Sequence, residues 1–161
     1  MKTTTVKKGE ILQRKGELNT KVFMVHSGLL RSYHIDDNGK EHIFMFAPED
    51  WIIGDAIRPE QACNLYIDAL EDSVISIHEK DPEVSMIDKK KMRKRVEVMQ
   101  MRIIMFMSST PMERYDHFVA TYPDIVKRVP QRMIASFVGV APETLSKLKS
   151  DRKKSDGKRI S

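Results

Sequence analysis

The apolar residues of this chain change period near Pro82, and that change limits the fold more than any other feature of the 161 residues. Before it, short apolar runs alternate with turn-forming residues, the pattern of strands; after it, apolar residues recur every three or four positions, the pattern of helices. From Val6 to His78 the runs are Ile11-Leu12-Gln13, Val22 to Val25, Leu29 to Ile35, Ile43 to Phe46, Trp51 to Ile53, Leu65 to Leu70 and Ser73 to Ile77. Between two of them, Asp36-Asp37-Asn38-Gly39 is a hairpin signal, because Asn38 and Gly39 can both adopt positive φ. About seven strands of this length and spacing close best as a small barrel or roll.

Beyond Pro82, Met92, Val96, Met99, Ile103 and Phe106 follow steps of 4, 3, 4 and 3, which hold one narrow stripe down a helix. Val98, Met101 and Met105 fall on the opposite side. A helix apolar on two sides needs two partners. One is the chain's own roll; the other is most simply the same helix in a second copy, paired in parallel about a two-fold axis. The stripe is therefore the expected dimer interface. The basic run Lys89-Lys-Lys-Met-Arg-Lys-Arg95 at the start of this helix reads as a solvated face. Thr110-Pro111-Met112-Glu113 has the form of a capping box that opens another helix, with Tyr115, Phe118, Val119 and Tyr122 on its buried face and Pro123 as its stop. The segment Asp124 to Arg128 reads as a connection.

The stretch Val129 to Lys149 is more specific. Met133, Ile134, Phe137 and Val138 recur at helical spacing, Gly139 ends the run, and Leu145 and Leu148 resume it. Ala135 lets a second helix cross closely, Gly139 suits a sharp turn, Pro142 fits the first turn of the next helix, and Glu143 suits the positive end of its dipole. This is a helix-turn-helix, with Ile134, Val140, Leu145 and Leu148 as its apolar seam. Outward on the second helix stand Glu143, Thr144, Ser146, Lys147 and Lys149, followed by Arg152, Lys153 and Lys154. Short polar groups followed by cations suit a helix lying in the major groove of double-stranded DNA, base edges before it and phosphates beside it. The rival reading of the same stretch is a helical hairpin with a solvated face.

Charge favours DNA. Residues 1–110 hold 17 Lys and Arg against 17 Asp and Glu, whereas residues 111–161 hold 11 against 6, together the 28 and 23 of the whole chain. All of the net charge of +5 travels with the helix-turn-helix, as attraction to phosphate requires. No apolar run approaches the ~20 residues of a membrane span, and the first residues lack the apolar region of a signal peptide, so a cytoplasmic protein with no membrane partner is expected. Cys63 stands alone, which excludes an internal disulfide and four-cysteine zinc or iron–sulfur sites. His26, His34, His42, His78 and His117 are scattered without metal-ligand spacing, and neither a nucleophile–base pair nor a phosphate-gripping glycine loop is visible. Neither an enzyme nor a metal protein is expected.

Strand roll, long helix and DNA reader occur in that order, and the chain resembles the Crp/Fnr family of bacterial transcription regulators. The resemblance rests on Lys8-Gly9-Glu10-Ile11, Lys15-Gly16-Glu17, Val25-His26-Ser27-Gly28, Asp37-Asn38-Gly39-Lys40-Glu41, Ile53-Gly54-Asp55, Glu113-Arg114-Tyr115, and Val129-Pro130-Gln131 through Leu145-Ser146. It is similar in particular to the wingless, orphan-ligand branch common in Bacteroidetes. The resemblance implies an α+β protein with a cyclic-nucleotide-binding-like β-roll at residues 1–80, lacking the family's opening helix. A dimerisation helix at 81–108, a helix-turn-helix domain without a wing at 109–154 and a polar tail at 155–161 follow. It places a ligand cassette on Gly54, Asp55, Arg58, Cys63 and Asn64. The cassette's usual arginine–serine pair falls on Cys63-Asn64, which supplies no cation to match a cyclic phosphate, so cyclic AMP is not the expected effector; another small molecule stays open, and no cofactor is identified. On the reader, family positions for base contact fall on Pro142, Glu143 and Lys147, and phosphate contacts on Gln131, Arg132 and Thr144, with Lys149, Arg152 and Lys153 adding charge. The implied function is a homodimeric, sequence-specific regulator that leaves room for RNA polymerase as a partner. The alternative is a ligand-binding or structural roll whose C-terminal helices serve protein interaction.

Overall fold

The computed structural model describes residues 3–80 and 89–158. The expected change of period at Pro82 and the end of the polar tail, residues 81–88 and 159–161, lie outside the described residues. The chain divides into two compact units, Met1–Glu83 and Val84–Ser161.

The first unit is a roll of eight strands: β1 (Thr3–Val6), β2 (Ile11–Gln13), β3 (Val22–Ser27), β4 (Leu30–Ile35), β5 (Glu41–Ala47), β6 (Ile52–Ile53), β7 (Tyr66–Ala69) and β8 (Ser73–His78). They form two antiparallel sheets in the orders β1-β8-β3-β6 and β2-β7-β4-β5. Seven of the eight were expected; β1 was not, because Thr3-Thr4-Thr5 shows no apolar alternation. Its β-branched threonines suit an edge strand, and only Val6 turns inward, with Thr3 opposite Ser76 and Val6 opposite Ser73. The core joins both sheets through Val6, Phe23, Val25, Leu30, Ala47, Ile53, Ile67, Ala69 and Ile75.

The expected β4–β5 hairpin forms, with one left-handed residue in its turn. Among the described non-glycine residues only Asn19 and Asp50 have positive φ, so Asn38 does not, while Gly39 sits at +78°. Asp36 is the reason: its Oδ1 accepts from the backbone N–H groups of Asn38 and Lys40, both at 3.0 Å, and builds a longer turn that needs one left-handed residue rather than two. His42 Nε2 lies 2.7 Å from Asp36 Oδ2 and, with those backbone bonds, holds this carboxyl below its ordinary 3.8.

β4 is buried on both faces, and the face away from the core carries charge. Arg31 donates from Nε and Nη2 to the two carboxylate oxygens of Asp68 on β7, at 2.8 and 2.9 Å, and from Nη1 to Glu41 on β5 at 2.6 Å. Its guanidinium lies 4.1 Å from the centre of the Tyr33 ring, which stacks on Tyr66. Burial works against the Arg31 charge, yet the bonds and charges of Asp68 and Glu41 outweigh it and hold the group above its usual range.

The second unit is helical: α1 (Lys89–Ser108), α2 (Pro111–Thr121), α3 (Pro123–Arg128), α4 (Gln131–Val138) and α5 (Pro142–Lys158). The capping box on α2 forms as expected. Thr110 Oγ1 accepts from the Glu113 N–H and Glu113 Oε2 accepts from the Thr110 N–H at 2.7 Å, which lowers the Glu113 carboxyl. The segment expected as a connection is instead α3. Pro123 ends α2 and, as N1 of a new helix, opens it; Asp124 stands at its positive end, Lys127 and Arg128 at its negative end, and Ile125 is buried. The last helix also runs further than expected, its backbone staying helical through Lys158, so 155–158 are not a tail.

Along α1 the apolar side chains are bare: Val96, Val98, Met101, Ile103, Ile104, Phe106 and Met107 are all exposed, Ile103 at 60%. Both expected faces are represented, with Met99 and Met105 half-buried. Met92 lies in the helix, but its side chain falls outside the described part.

Candidate nucleic-acid interface

The helix-turn-helix is built as its sequence dictates. Gly139 takes the left-handed conformation, φ 75° and ψ 39°, and ends α4. A β-carbon there would meet the Phe106 ring at 2.5 Å, so both backbone and space require glycine. Its N–H donates to Ser136 O at 3.2 Å and the Val140 N–H donates to Ala135 O at 3.0 Å. Ile134, Ala135, Val138 and Leu145 are buried in the seam between the helices, with Val140 and Leu148 half-buried at its margins.

The outer face of α5 is a continuous stripe. Pro142, Glu143, Ser146, Lys147, Ser150, Asp151 and Lys154 line one shallow surface concavity, recurring at the helical repeat. Glu143 and Asp151 on this stripe offset Lys147 and Lys154. Thr144 and Lys153 flank it, and both are exposed, as are Gln131 and Arg132 at the start of α4.

Two of the expected cations belong elsewhere. Lys149 is half-buried rather than outward: its ammonium donates to Tyr115 Oη at 3.0 Å and Gln131 Oε1 at 3.3 Å, and lies 4.8 Å from the centre of the Tyr115 ring. Arg152 Nη1 bonds both oxygens of Asp116, at 2.7 and 2.8 Å. The spacing of 149 and 152 places them on the α2 side of the helix, where they brace α5 against Tyr115 and Asp116. Periodicity gave no sign of these two partners, which belong to a different helix far back in the chain. Among the described residues no strand follows β8.

The expected ligand cassette closes on itself. Asp55 is buried, its Oδ1 accepting from the Ile57 N–H at 2.9 Å and its Oδ2 from the N–H groups of Asn64 and Leu65 at 3.0 and 3.2 Å, so the carboxylate ties together the two ends of the loop. A β-carbon on Gly54 would lie 3.2 Å from both Lys21 O and Val22 Cγ2. Cys63 is buried and donates to Arg14 O at 2.9 Å; Arg58 and Asn64 are exposed. A cation missed in the sequence does approach: Lys80, just past β8, donates to Thr20 Oγ1 and, at 3.0 Å, to Ile57 O. Burial pulls the Lys80 ammonium below its ordinary value, against the opposing charge of Asp55.

The histidines have structural partners. His26 and His78 both bond Ser76 Oγ, at 3.1 and 3.0 Å, His34 bonds Asn64 O, and His117 bonds Thr121. Among the described residues no group of three metal-ligating side chains converges, and no helix is long and apolar enough to cross a membrane.

An antiparallel roll followed by a helical unit ending in a helix-turn-helix is a fold shared with solved structures of CRP/FNR type. The profile of the cyclic nucleotide-binding domain matches residues 3–93, and the chain belongs to the cyclic nucleotide-binding domain family. The structure is similar to FixK2 from Bradyrhizobium japonicum, with TM-score 0.76 and 19% identity over 96% of this chain and 85% of that one. It is also similar to TTHA1359, a transcriptional regulator of the CRP/FNR family from Thermus thermophilus, with TM-score 0.77 and 16% identity over 96% and 87%. A third likeness is to CLP, the c-di-GMP-responsive global regulator of Xanthomonas campestris, with TM-score 0.72 and 12% identity over 93% and 87%. At these identities the likeness is one of fold. The sequence matches no curated protein.

Proposed function

We propose that the chain is a dimeric, sequence-specific DNA-binding regulator of transcription, of the wingless CRP/FNR type, which acts in the cytoplasm without catalysis and without cyclic AMP. The observation that carries this reading is the exposed start of α5 beyond the left-handed turn: Pro142, Glu143, Thr144 and Lys147 face outward while Leu145 is buried beneath them. Glu143 accepts a hydrogen bond from a cytosine amino group, Lys147 donates to guanine, and Gln131, Arg132, Thr144 and Lys153 meet phosphates. Lys149 and Arg152 hold the helix rather than the DNA. The functional parts are the roll at 1–80, the pairing segment at 81–108, which contains α1, and the reader at 109–154.

The bare apolar ridge of α1 supports pairing of two copies through Val96, Met99 and Ile103, with Met92 one turn before them and Phe106 at the far end. In such a pair the two readers enter successive major grooves about one helical turn apart. The closed loop around Asp55 supports independence from cyclic AMP: the acid that would hold a ribose is spent on three backbone N–H groups, and the nearby Lys80 on a carbonyl and a hydroxyl.

Selection of preferred sequences from a random DNA pool tests the reading. An enriched motif with two half-sites is expected, its binding weakened steeply by about 0.3 M salt. Lys147→Ala relaxes preference at one base position, at a cost of roughly 1–3 kcal/mol, while Lys153→Ala weakens all sequences about equally. A pool that emerges unenriched overturns DNA reading, and calorimetric binding of cyclic AMP that raises DNA affinity overturns the effector assignment alone.

A further inference from the structure

Helix α4 ends on four carbonyl groups that have no partner within the helix. Two are met by the turn itself, Ala135 O by the Val140 N–H and Ser136 O by the Gly139 N–H. The other two are met by arginines from elsewhere in the unit. Arg102 on α1 donates from Nη2 to Phe137 O at 3.1 Å, and Arg114 on α2 donates from Nε to Val138 O at 2.8 Å. Arg114 also donates from Nη1 to Ser109 O at the end of α1, at 2.6 Å.

An aromatic side chain locks this joint. The Phe106 ring abuts the α-carbon face of Gly139, with the Arg114 guanidinium 5.2 Å and the Arg102 guanidinium 5.5 Å from its centre. Arg102 also lies 3.9 Å from the centre of the Phe137 ring, which packs on Phe118. Cations at the end of a helix suit its dipole, and the planar guanidinium, unlike an ammonium, fixes the direction of its bonds. Burial pulls Arg102 down to about 10, against the attraction of the Tyr122 hydroxyl, so the charge is kept here at a cost in stability.

We propose that Arg102 and Arg114 are positioning residues for DNA reading: they fasten the turn that aims α5 to the end of α1, so that the placement of α1 sets the aim of the reader. This rests on the DNA-binding function proposed above. Neither arginine is assigned a contact with DNA. Residues 102 and 106 sit on the same stretch of α1 as Ile103, within the ridge proposed to join two copies, so a shift in the pairing of the helices reaches the turn through the Arg102 hydrogen bond to Phe137 O and the Phe106 ring.

The test uses the full chain with Arg102→Met, which keeps the length and apolar contacts of the side chain but removes its donors, beside Arg102→Lys. Arg102→Met is expected to melt at or above the wild-type temperature and to remain as dimeric as wild type. Its affinity for the selected sequence should fall about tenfold, within the usual range for coupled sites, with the salt slope of binding unchanged because no phosphate contact is lost. Arg102→Lys recovers part of that loss. Amide exchange should quicken at residues 139–148 in Arg102→Met and less in Arg102→Lys. Wild-type affinity and unchanged exchange in Arg102→Met overturn the proposal, as does a salt slope reduced by one, which makes Arg102 a direct phosphate contact. If wild type itself selects no sequence, the function proposed above falls, and the exchange experiment alone decides whether Arg102 fastens the turn.

Discussion

Gly139 shows how much one residue can be asked to satisfy. Its left-handed backbone ends α4, its N–H serves Ser136 O, and its missing side chain admits the Phe106 ring. Gly139→Ala is therefore expected to cost about 1–2 kcal/mol from the backbone alone, read as a lowered urea midpoint at unchanged slope, with displacement of Phe106 adding to it. The backbone part was legible in the sequence, because a glycine between two helical apolar runs has few other uses. The steric part was not, since nothing in the stretch from Phe106 to Gly139 marks the two as neighbours. The same holds for Lys149, whose charge was visible but whose partner Tyr115 was not, and for Lys80, which no local pattern brings to the loop around Asp55. Spacing reveals which face a side chain takes; it does not reveal what the fold sets opposite that face.

At the scale of elements, the roll's second sheet is registered by charge. Arg31 on β4 holds Asp68 on β7 and Glu41 on β5, so one side chain links three strands. Removing a single partner leaves a buried guanidinium short of its match, and Asp68→Ala is expected to destabilise the protein by roughly 3–5 kcal/mol in chemical denaturation. A loss below about 1 kcal/mol would show that the charge finds water instead. Elements with a strong period or a local cap were readable in advance, as the agreement of α2, α4, the start of α5 and seven strands shows. β1 and α3 were not, one because threonines hide a strand that its neighbour β8 completes, the other because a proline that stops one helix can begin the next. The length of α5 is not legible either: its polar end shows no apolar period, yet the backbone stays helical to Lys158.

At the scale of the whole molecule, the roll and the helix-turn-helix were announced by the change of period and by the confinement of positive charge to the C-terminal residues. Part of that charge is used within the second unit, by Lys149 and Arg152, so net charge overstated what faces outward. The bare ridge of α1 makes pairing the property to measure first. Ile103→Glu is expected to shift sedimentation from dimer to monomer at micromolar concentration, while melting of the wild type should rise with protein concentration and that of Ile103→Glu should not. A wild type that sediments as a monomer throughout removes the second copy. If two copies pair along α1 as proposed, abundance becomes an input in its own right: below the pairing constant, the filled fraction of a DNA site would grow with the square of chain concentration, so a modest change in synthesis would act as a threshold.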